Sequence, residues 1–93
     1  MESYLFEWDS DKASSNLDKH GVSFEEARTV FFDPLSLTVS DPSSIGEARW
    51  LTVGHSTGDR LLVIVSVERW PAIRIVSARL ATKTERKQYE EGF

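Results

Sequence analysis

A chain of 93 residues with 40% apolar and 28% charged side chains has the composition of a globular protein and room for one hydrophobic core, so a single domain over residues 1–93 is expected. It has no cysteine, so neither a disulfide framework nor a thiolate metal site can hold it, and its two histidines lie far apart in sequence; no metal site and no cofactor are expected. The net charge of −4 argues against an evenly basic surface, but residues 1–48 carry three basic groups (Lys12, Lys19, Arg28) against ten acidic ones, and residues 49–93 carry eight against five, which points to an acidic face and a basic one.

In chain order, Ser3 to Trp8 is short and aromatic, suiting an edge strand or an extended arm that packs its rings on the core. Asp9 caps a helix whose inward positions, Ala13, Asn16, Leu17 and His20, follow three-four spacing, and Gly21 supplies the left-handed residue that ends it. Ser23-Phe24-Glu25-Glu26 has the spacing of a capping box. It opens a second helix with Phe24, Ala27, Val30 and Phe31 as its apolar stripe, ending near Phe32 before Asp33-Pro34.

From Leu35 the period changes to two: Leu35, Leu37 and Val39 alternate with Ser36, Thr38 and Ser40, as in a half-buried strand. Asp41 to Gly46 reads as a loop, Arg49 to His55 as a strand, Ser56 to Asp59 as a hairpin turn with Gly58, and Arg60 to Glu68 as a β-branched strand. Trp70-Pro71 breaks that strand, Ala72 to Leu80 is the fourth, and Thr82-Lys83-Thr84-Glu85 repeats the capping-box spacing before a charged C-terminal helix. Linkers this short permit only antiparallel neighbours. The expected fold class is therefore α+β: an N-terminal short strand or arm, two helices, a four-stranded antiparallel meander with helices covering one face, and a C-terminal helix. The longest apolar run, Leu61–Val65, is far short of the roughly twenty residues of a membrane helix, and the first residues do not read as an export signal; a cytoplasmic location is expected.

Arg49, His55, Arg60, Arg69, Arg74 and Arg79 fall at strand ends or beside turns, where a cluster of guanidinium groups would suit a phosphate backbone. The alternative for each arginine is a solvated side chain or an ion pair with Glu47, Asp59, Glu68 or Glu85. Imidazole exchanges a proton near neutral pH, which makes His55 a candidate for proton transfer, with Glu68 a second candidate base. His20 and Trp8 are assigned to the core, and Lys19 to the outside. The sequence has no Gly-rich phosphate loop, His-Glu-x-x-His helix or Gly-x-Ser-x-Gly elbow, so it offers no support for nucleotide hydrolysis, zinc proteolysis or esterase chemistry.

Three stretches near the N-terminus, Phe6-Glu7-Trp8-Asp9, Asn16 through Ala27 (Asn-Leu-Asp-Lys-His-Gly-Val-Ser-Phe-Glu-Glu-Ala) and Asp33-Pro34, are followed by Ile73-Arg74-Ile75-Val76-Ser77-Ala78-Arg79, Glu85-Arg86 and Tyr89. Together they resemble the BrnT family of toxins over nearly the whole chain. The resemblance implies a RelE-like fold, metal-independent RNA cleavage that blocks translation, and neutralisation by a BrnA-like ribbon-helix-helix antitoxin in a hetero-oligomer that reaches promoter DNA only through the antitoxin. In the more distant likeness to RelE, Arg60 resembles the arginine that opens the penultimate strand, Arg79 the arginine that ends the last one, and Tyr89 a tyrosine near the C-terminus. The lysines of the preceding strand there have no clear counterpart here, which leaves Arg49 and His55 as the candidates. On that basis Arg60, Arg79 and His55 are the expected catalytic residues, and Arg49, Arg69, Arg74 and Tyr89 the expected substrate-binding ones. The competing reading is a catalytically silent module that only partners a ribbon-helix-helix DNA-binding protein.

Overall fold

The computed structural model describes residues 5–92. In chain order it contains β1 (Leu5–Glu7), α1 (Ser10–His20), α2 (Phe24–Thr29) prolonged by a 3₁₀ turn (Val30–Phe32), β2 (Leu37–Ser40), β3 (Trp50–His55), β4 (Leu61–Arg69), β5 (Ala72–Leu80) and α3 (Lys83–Glu91). Ser3 and Tyr4, assigned above to the first strand or arm, lie outside the described residues.

The helix ends follow the local chemistry. The Asp9 carboxylate accepts from Lys12 N at 2.9 Å, and Gly21, at φ 69°, closes α1 with its N–H on Leu17 O. At Thr82 and Glu85 both halves of the capping box are formed. At Ser23 only one half is: Ser23 Oγ accepts from Glu26 N, while the Glu26 carboxylate turns away to Arg60 and Ser56. The ion pair outcompetes a backbone amide for the same oxygens because its donors are charged.

β2 to β5 form the expected antiparallel meander, but the sheet has five strands and is mixed, in the order β1-β5-β4-β3-β2. β1 runs parallel to β5, Leu5 opposite Ala72 and Glu7 opposite Arg74. Its Phe6 ring packs on Phe31 and Phe32, with centroids 5.2 and 6.3 Å away. A three-residue segment thus becomes a strand because it satisfies an open sheet edge while seating an aromatic ring on the core.

The sheet is covered on both faces, which corrects the one-face expectation. Leu62, Ile64, Ile75 and Ala78 meet Val22, Phe24, Ala27 and Val30 from the α1–α2 side, with Trp8 packed against that cluster edge-on to Phe24 at 5.9 Å. Leu61, Val63 and Val53 point to the other side, where α3 lays Tyr89 over them. This follows from strand alternation in β4, whose successive residues are buried on opposite faces.

α1 packs along β5 rather than broadly across the sheet, and that placement decides its burial. Asn16, 7% exposed, donates through Nδ2 to Ala78 O (2.8 Å) and Val22 O (2.9 Å) and accepts from Ala78 N (3.1 Å) through Oδ1. One amide side chain thereby stands in for a neighbouring strand where β1 has ended. The buried stripe of α1 is narrow: Leu17 is 50% exposed and His20 is exposed, so the core assignment of His20 does not hold, whereas Trp8 is half-buried against the core and Lys19 is exposed as expected. Asn16→Ala leaves three backbone groups without their partner and is expected to lower stability by about 2–4 kcal/mol. Urea unfolding with an unchanged m-value checks it.

Candidate functional site

Four of the five candidate arginines are in ion pairs: Arg60 with Glu26, Arg69 with Glu47, Arg74 with Glu7 and Arg79 with Glu85. The sequence had offered Glu47 and Glu85 as partners; Glu26 and Glu7 arrive from the acidic half through tertiary structure. Arg49 is exposed, and it adds a Coulombic contribution to the lowering of the Asp41 carboxyl, which hydrogen bonds from Ser43 dominate.

The structure does not bring Arg60 and Arg79 to one place. Arg60 reaches toward the α1–α2 side, donating from Nε to Glu26 Oε2 (3.0 Å) and from Nη2 to Glu26 Oε1 and to Gly21 O (3.1 Å). Glu26 also accepts from Ser56 Oγ at 2.6 Å, so this group ties the end of α1 and the start of α2 to the β3–β4 turn. The left-handed residue of that turn is Asp59, at φ 61°, rather than Gly58. Hydrogen bonding to Arg60 holds the Glu26 carboxyl below its ordinary range against the opposing effect of burial.

Arg79 lies on the opposite face, beside Val63. Its Nη1 and Nη2 donate to the two oxygens of Glu85 at 2.8 and 2.9 Å, and Nη1 also reaches Leu80 O at 3.3 Å. Three of the five guanidinium N–H bonds are engaged, leaving two for a ligand. The Arg79 hydrogen bonds hold Glu85 down to about 2, against burial and with help from Thr82 N–H.

On the same face, His55 stands opposite Leu61 at the end of β3. Sheet spacing puts His55 and Arg79 about 12 Å apart, two strands across and two residues along. α3 spans the gap: Glu85 and Tyr89, four residues apart on one helical face, reach Arg79 and His55 respectively. Tyr89 Oη donates to Asp33 Oδ2 at 2.7 Å and lies 3.2 Å from His55 Nδ1. Asp33 Oδ2 also accepts from His55 N at 2.8 Å, and Oδ1 from Leu35 N at 2.9 Å.

The proton positions follow from the acceptor chemistry. Burial pushes the Asp33 carboxyl up, but hydrogen bonds from His55 N–H, Tyr89 and Leu35 N–H outweigh it and keep the group below its ordinary value, ionised and acceptor-only. Tyr89 must therefore donate to Asp33. Burial first, and then that hydrogen bond, push its phenol up to about 12. With its own proton committed, Tyr89 Oη accepts from His55 Nδ1–H, which leaves Nε2 as the ring's proton acceptor. Asp33 was missed in the sequence, where Asp33-Pro34 reads only as the end of a helix. β3 approaches it closely because residue 54 is glycine: a Cβ there would sit 3.1 Å from Asp33 Oδ2 and 3.0 Å from both Val30 Cγ1 and Ser36 Cβ. Glu68 lies away from this group, in a cleft of about 290 Å³ with Phe31, Thr38 and Trp50.

The sequence matches, over residues 8–85, the family model described as the ribonuclease toxin, BrnT, of type II toxin-antitoxin systems. This chain belongs to the BrnT family. Among solved structures it is similar to the crystal structure of the Brucella abortus ribonuclease toxin, BrnT, at a TM-score of 0.64 and 19% identity, covering 87% of this chain and 100% of that one. That likeness concerns the fold. No curated protein matches the chain. The BrnT-family match contains Asp33, His55, Arg60 and the Arg79–Glu85 pair, and ends before Tyr89. Among the described residues no helix is long and apolar enough to cross a membrane, and no three or more His, Cys, Asp or Glu side chains gather to hold a metal ion.

Proposed function

We propose that this BrnT-family chain is an endoribonuclease toxin that cleaves RNA, blocks translation and is neutralised by a cognate antitoxin. The family match over residues 8–85 carries the reading. The geometry suits the chemistry: a ribose 2′-OH attacks its own phosphate, His55 Nε2 takes the 2′ proton, and Arg79 stabilises the charge on the phosphoryl oxygens with its two unengaged N–H donors. The P–O5′ bond breaks, the 5′-oxygen takes a proton from water, and the products are a 2′,3′-cyclic phosphate and a 5′-hydroxyl end. The nucleophile belongs to the substrate, so the reaction as written needs no metal ion. Tyr89 and Asp33 fix the imidazole. Arg60, committed to Glu26 on the other side of the sheet, serves as a tie of the scaffold, and Arg49, Arg69 and Arg74 extend the path of the RNA backbone. The partner is a BrnA-like ribbon-helix-helix antitoxin, through which the complex reaches its promoter, and it silences the enzyme by covering this face.

The test is cleavage of RNA by the purified protein in EDTA. Expected are 2′,3′-cyclic phosphate ends, no cleavage of an RNA whose 2′-hydroxyls are methylated, and competition between antitoxin and RNA for the toxin. A well-folded protein that binds the antitoxin but leaves RNA intact is instead the silent binding module.

A further inference from the structure

The acidic half of the chain, residues 1–48, has three basic residues, and two of them line one cleft. This cleft, of about 180 Å³, lies between α1 and β5 and is lined by Lys12, Ser15, Lys19, His20 and Ser77 together with Asn16 and Val76. Its rim holds three nitrogen bases and two hydroxyls and no carboxylate. Asn16 is already committed to the backbone of Ala78 and Val22. In contrast to Arg60, Arg69, Arg74 and Arg79, whose charges carboxylates offset, the side chains of Lys12, Lys19 and His20 have no hydrogen bond or ion pair among the described residues.

We infer that this cleft binds a phosphate of the RNA substrate, with Lys12 and Lys19 supplying charge and His20, Ser15 and Ser77 supplying neutral donors. The inference rests on the ribonuclease reading above. The helix dipole accounts for a cation in the last turn of α1, where Lys19 and His20 stand, but disfavours one in the first turn, where Lys12 stands. Helical geometry places Lys12, Ser15 and Lys19 at intervals of three and four on one face, so the three act on one surface rather than scatter around α1. The volume is below the roughly 300 Å³ at which sites for whole small molecules begin, and it suits a single anionic group. Continuity makes RNA the occupant: Ser77 is two residues from Arg79 on β5, about 7 Å along the strand, so a polynucleotide held at Arg79 has its next phosphates beside the cleft. Asp11 and Asp18, the acidic residues of α1, border the cleft face beside Ser15, four residues before it and three after it, and lie roughly a quarter to a third of a turn around the helix from Lys12 and Lys19.

The test uses the full chain and a fluorescein-labelled, single-stranded 2′-O-methyl oligoribonucleotide of mixed sequence, which cannot be cut by 2′-OH attack. Lys12→Gln/Lys19→Gln is compared with Arg28→Gln/Lys87→Gln, which removes the same charge at exposed positions on α2 and α3. The cleft pair is expected to weaken binding by at least about tenfold, the lower end for a hydrogen bond to a charged group, and to reduce the slope of log K against log salt by about 0.7, the value for one lost phosphate contact. His20→Asn is expected to weaken binding in the same direction, and the remote pair to change the slope little. Equal losses in both pairs, or none in the cleft pair while the wild type binds, overturn the assignment and leave the ribonuclease reading standing. Loss of antitoxin affinity with RNA affinity intact makes the cleft a protein-docking site and overturns it too. A fall in kcat at saturating RNA with KM unchanged also overturns it, making the cleft the reaction centre. A wild-type protein that neither binds the probe nor cuts RNA removes the ribonuclease reading, and this inference with it.

Discussion

Arg79→Ala is expected to lower RNA cleavage by a factor on the order of 10²–10³, the loss found when one preorganised donor to a developing oxyanion is removed. Binding should suffer less than turnover, since a group acting mainly in the transition state adds little ground-state affinity. Arg79→Lys should restore little, because lysine keeps the charge and loses the planar fork that meets Glu85 on one side and, in the proposed mechanism, a phosphate on the other. The ion pair supplies the discriminating variant. Glu85→Gln keeps an oxygen for Thr82 N–H but removes the carboxylate that occupies two of the guanidinium nitrogens. If Arg79 acts on the substrate, this variant retains activity while Arg79→Ala does not; equal losses would mean that the pair only holds α3 in place. Acid provides a further check. Glu85 is held at about 2 in the fold against an ordinary value of 4.5, so it contributes stability that is fully present above about 4.5 and is lost as pH falls through about 2. Glu85→Gln should flatten the acid limb of the stability profile between those values. A folded Arg79→Ala enzyme with wild-type turnover would reduce the pair to a helix anchor.

Elements whose signals are local were legible in the sequence. The Thr82–Glu85 capping box and the Gly21 end of α1 each depend on neighbours within a few residues, and each is found in the structure; the alternation at Leu37 and Val39 located a strand but not its burial, since Val39 is 44% exposed and Leu35 lies outside the strand. What stayed hidden depends on partners far along the chain. β1 pairs with residues 72–74, a choice made by the open edge of β5 and by the Phe31 and Phe32 rings rather than by three residues of propensity. Helical spacing correctly put Asn16 and His20 on one side of α1, but periodicity gives the direction of a buried stripe and not its width. Because α1 packs along β5, Asn16 is buried and His20 opens into a cleft. The arginines were visible as strand-end cations, yet their availability was not, since Glu26 and Glu7 come from segments more than thirty residues away in sequence. Asp33 was the largest omission from the candidate site. Two of its three donors come from residues 55 and 89, and no pattern around Asp33-Pro34 announces them.

His55→Ala is expected to lower cleavage by a factor on the order of 10²–10⁴, the range for loss of a positioned general base, with little change in the far-ultraviolet circular dichroism of a half-buried strand-end residue. Asp33→Asn tests whether the imidazole is held through Tyr89. An amide at 33 no longer requires the Tyr89 proton, so Tyr89 is free to donate to Nδ1 instead, and the neutral ring then carries its hydrogen on Nε2, the wrong nitrogen for accepting the 2′ proton. Activity should fall toward that of His55→Ala although every ring atom is still present. The phenol itself reports the change. Tyr89 is held at about 12 by burial and by Asp33, so it stays protonated where an ordinary tyrosine ionises near 10, and it contributes stability below about 10 that is lost as pH rises through about 12. Ultraviolet titration of the phenolate should show this high transition in the wild type and a downward shift in Asp33→Asn, because one of its causes has been removed. Tyr89→Phe should reduce activity as well, since Nδ1–H then loses its acceptor and the ring its orientation. Full activity in Asp33→Asn, with the tyrosine titration displaced, would separate the hydrogen-bond chain from catalysis and leave His55 either self-sufficient or uninvolved; the His55→Ala result decides between the two.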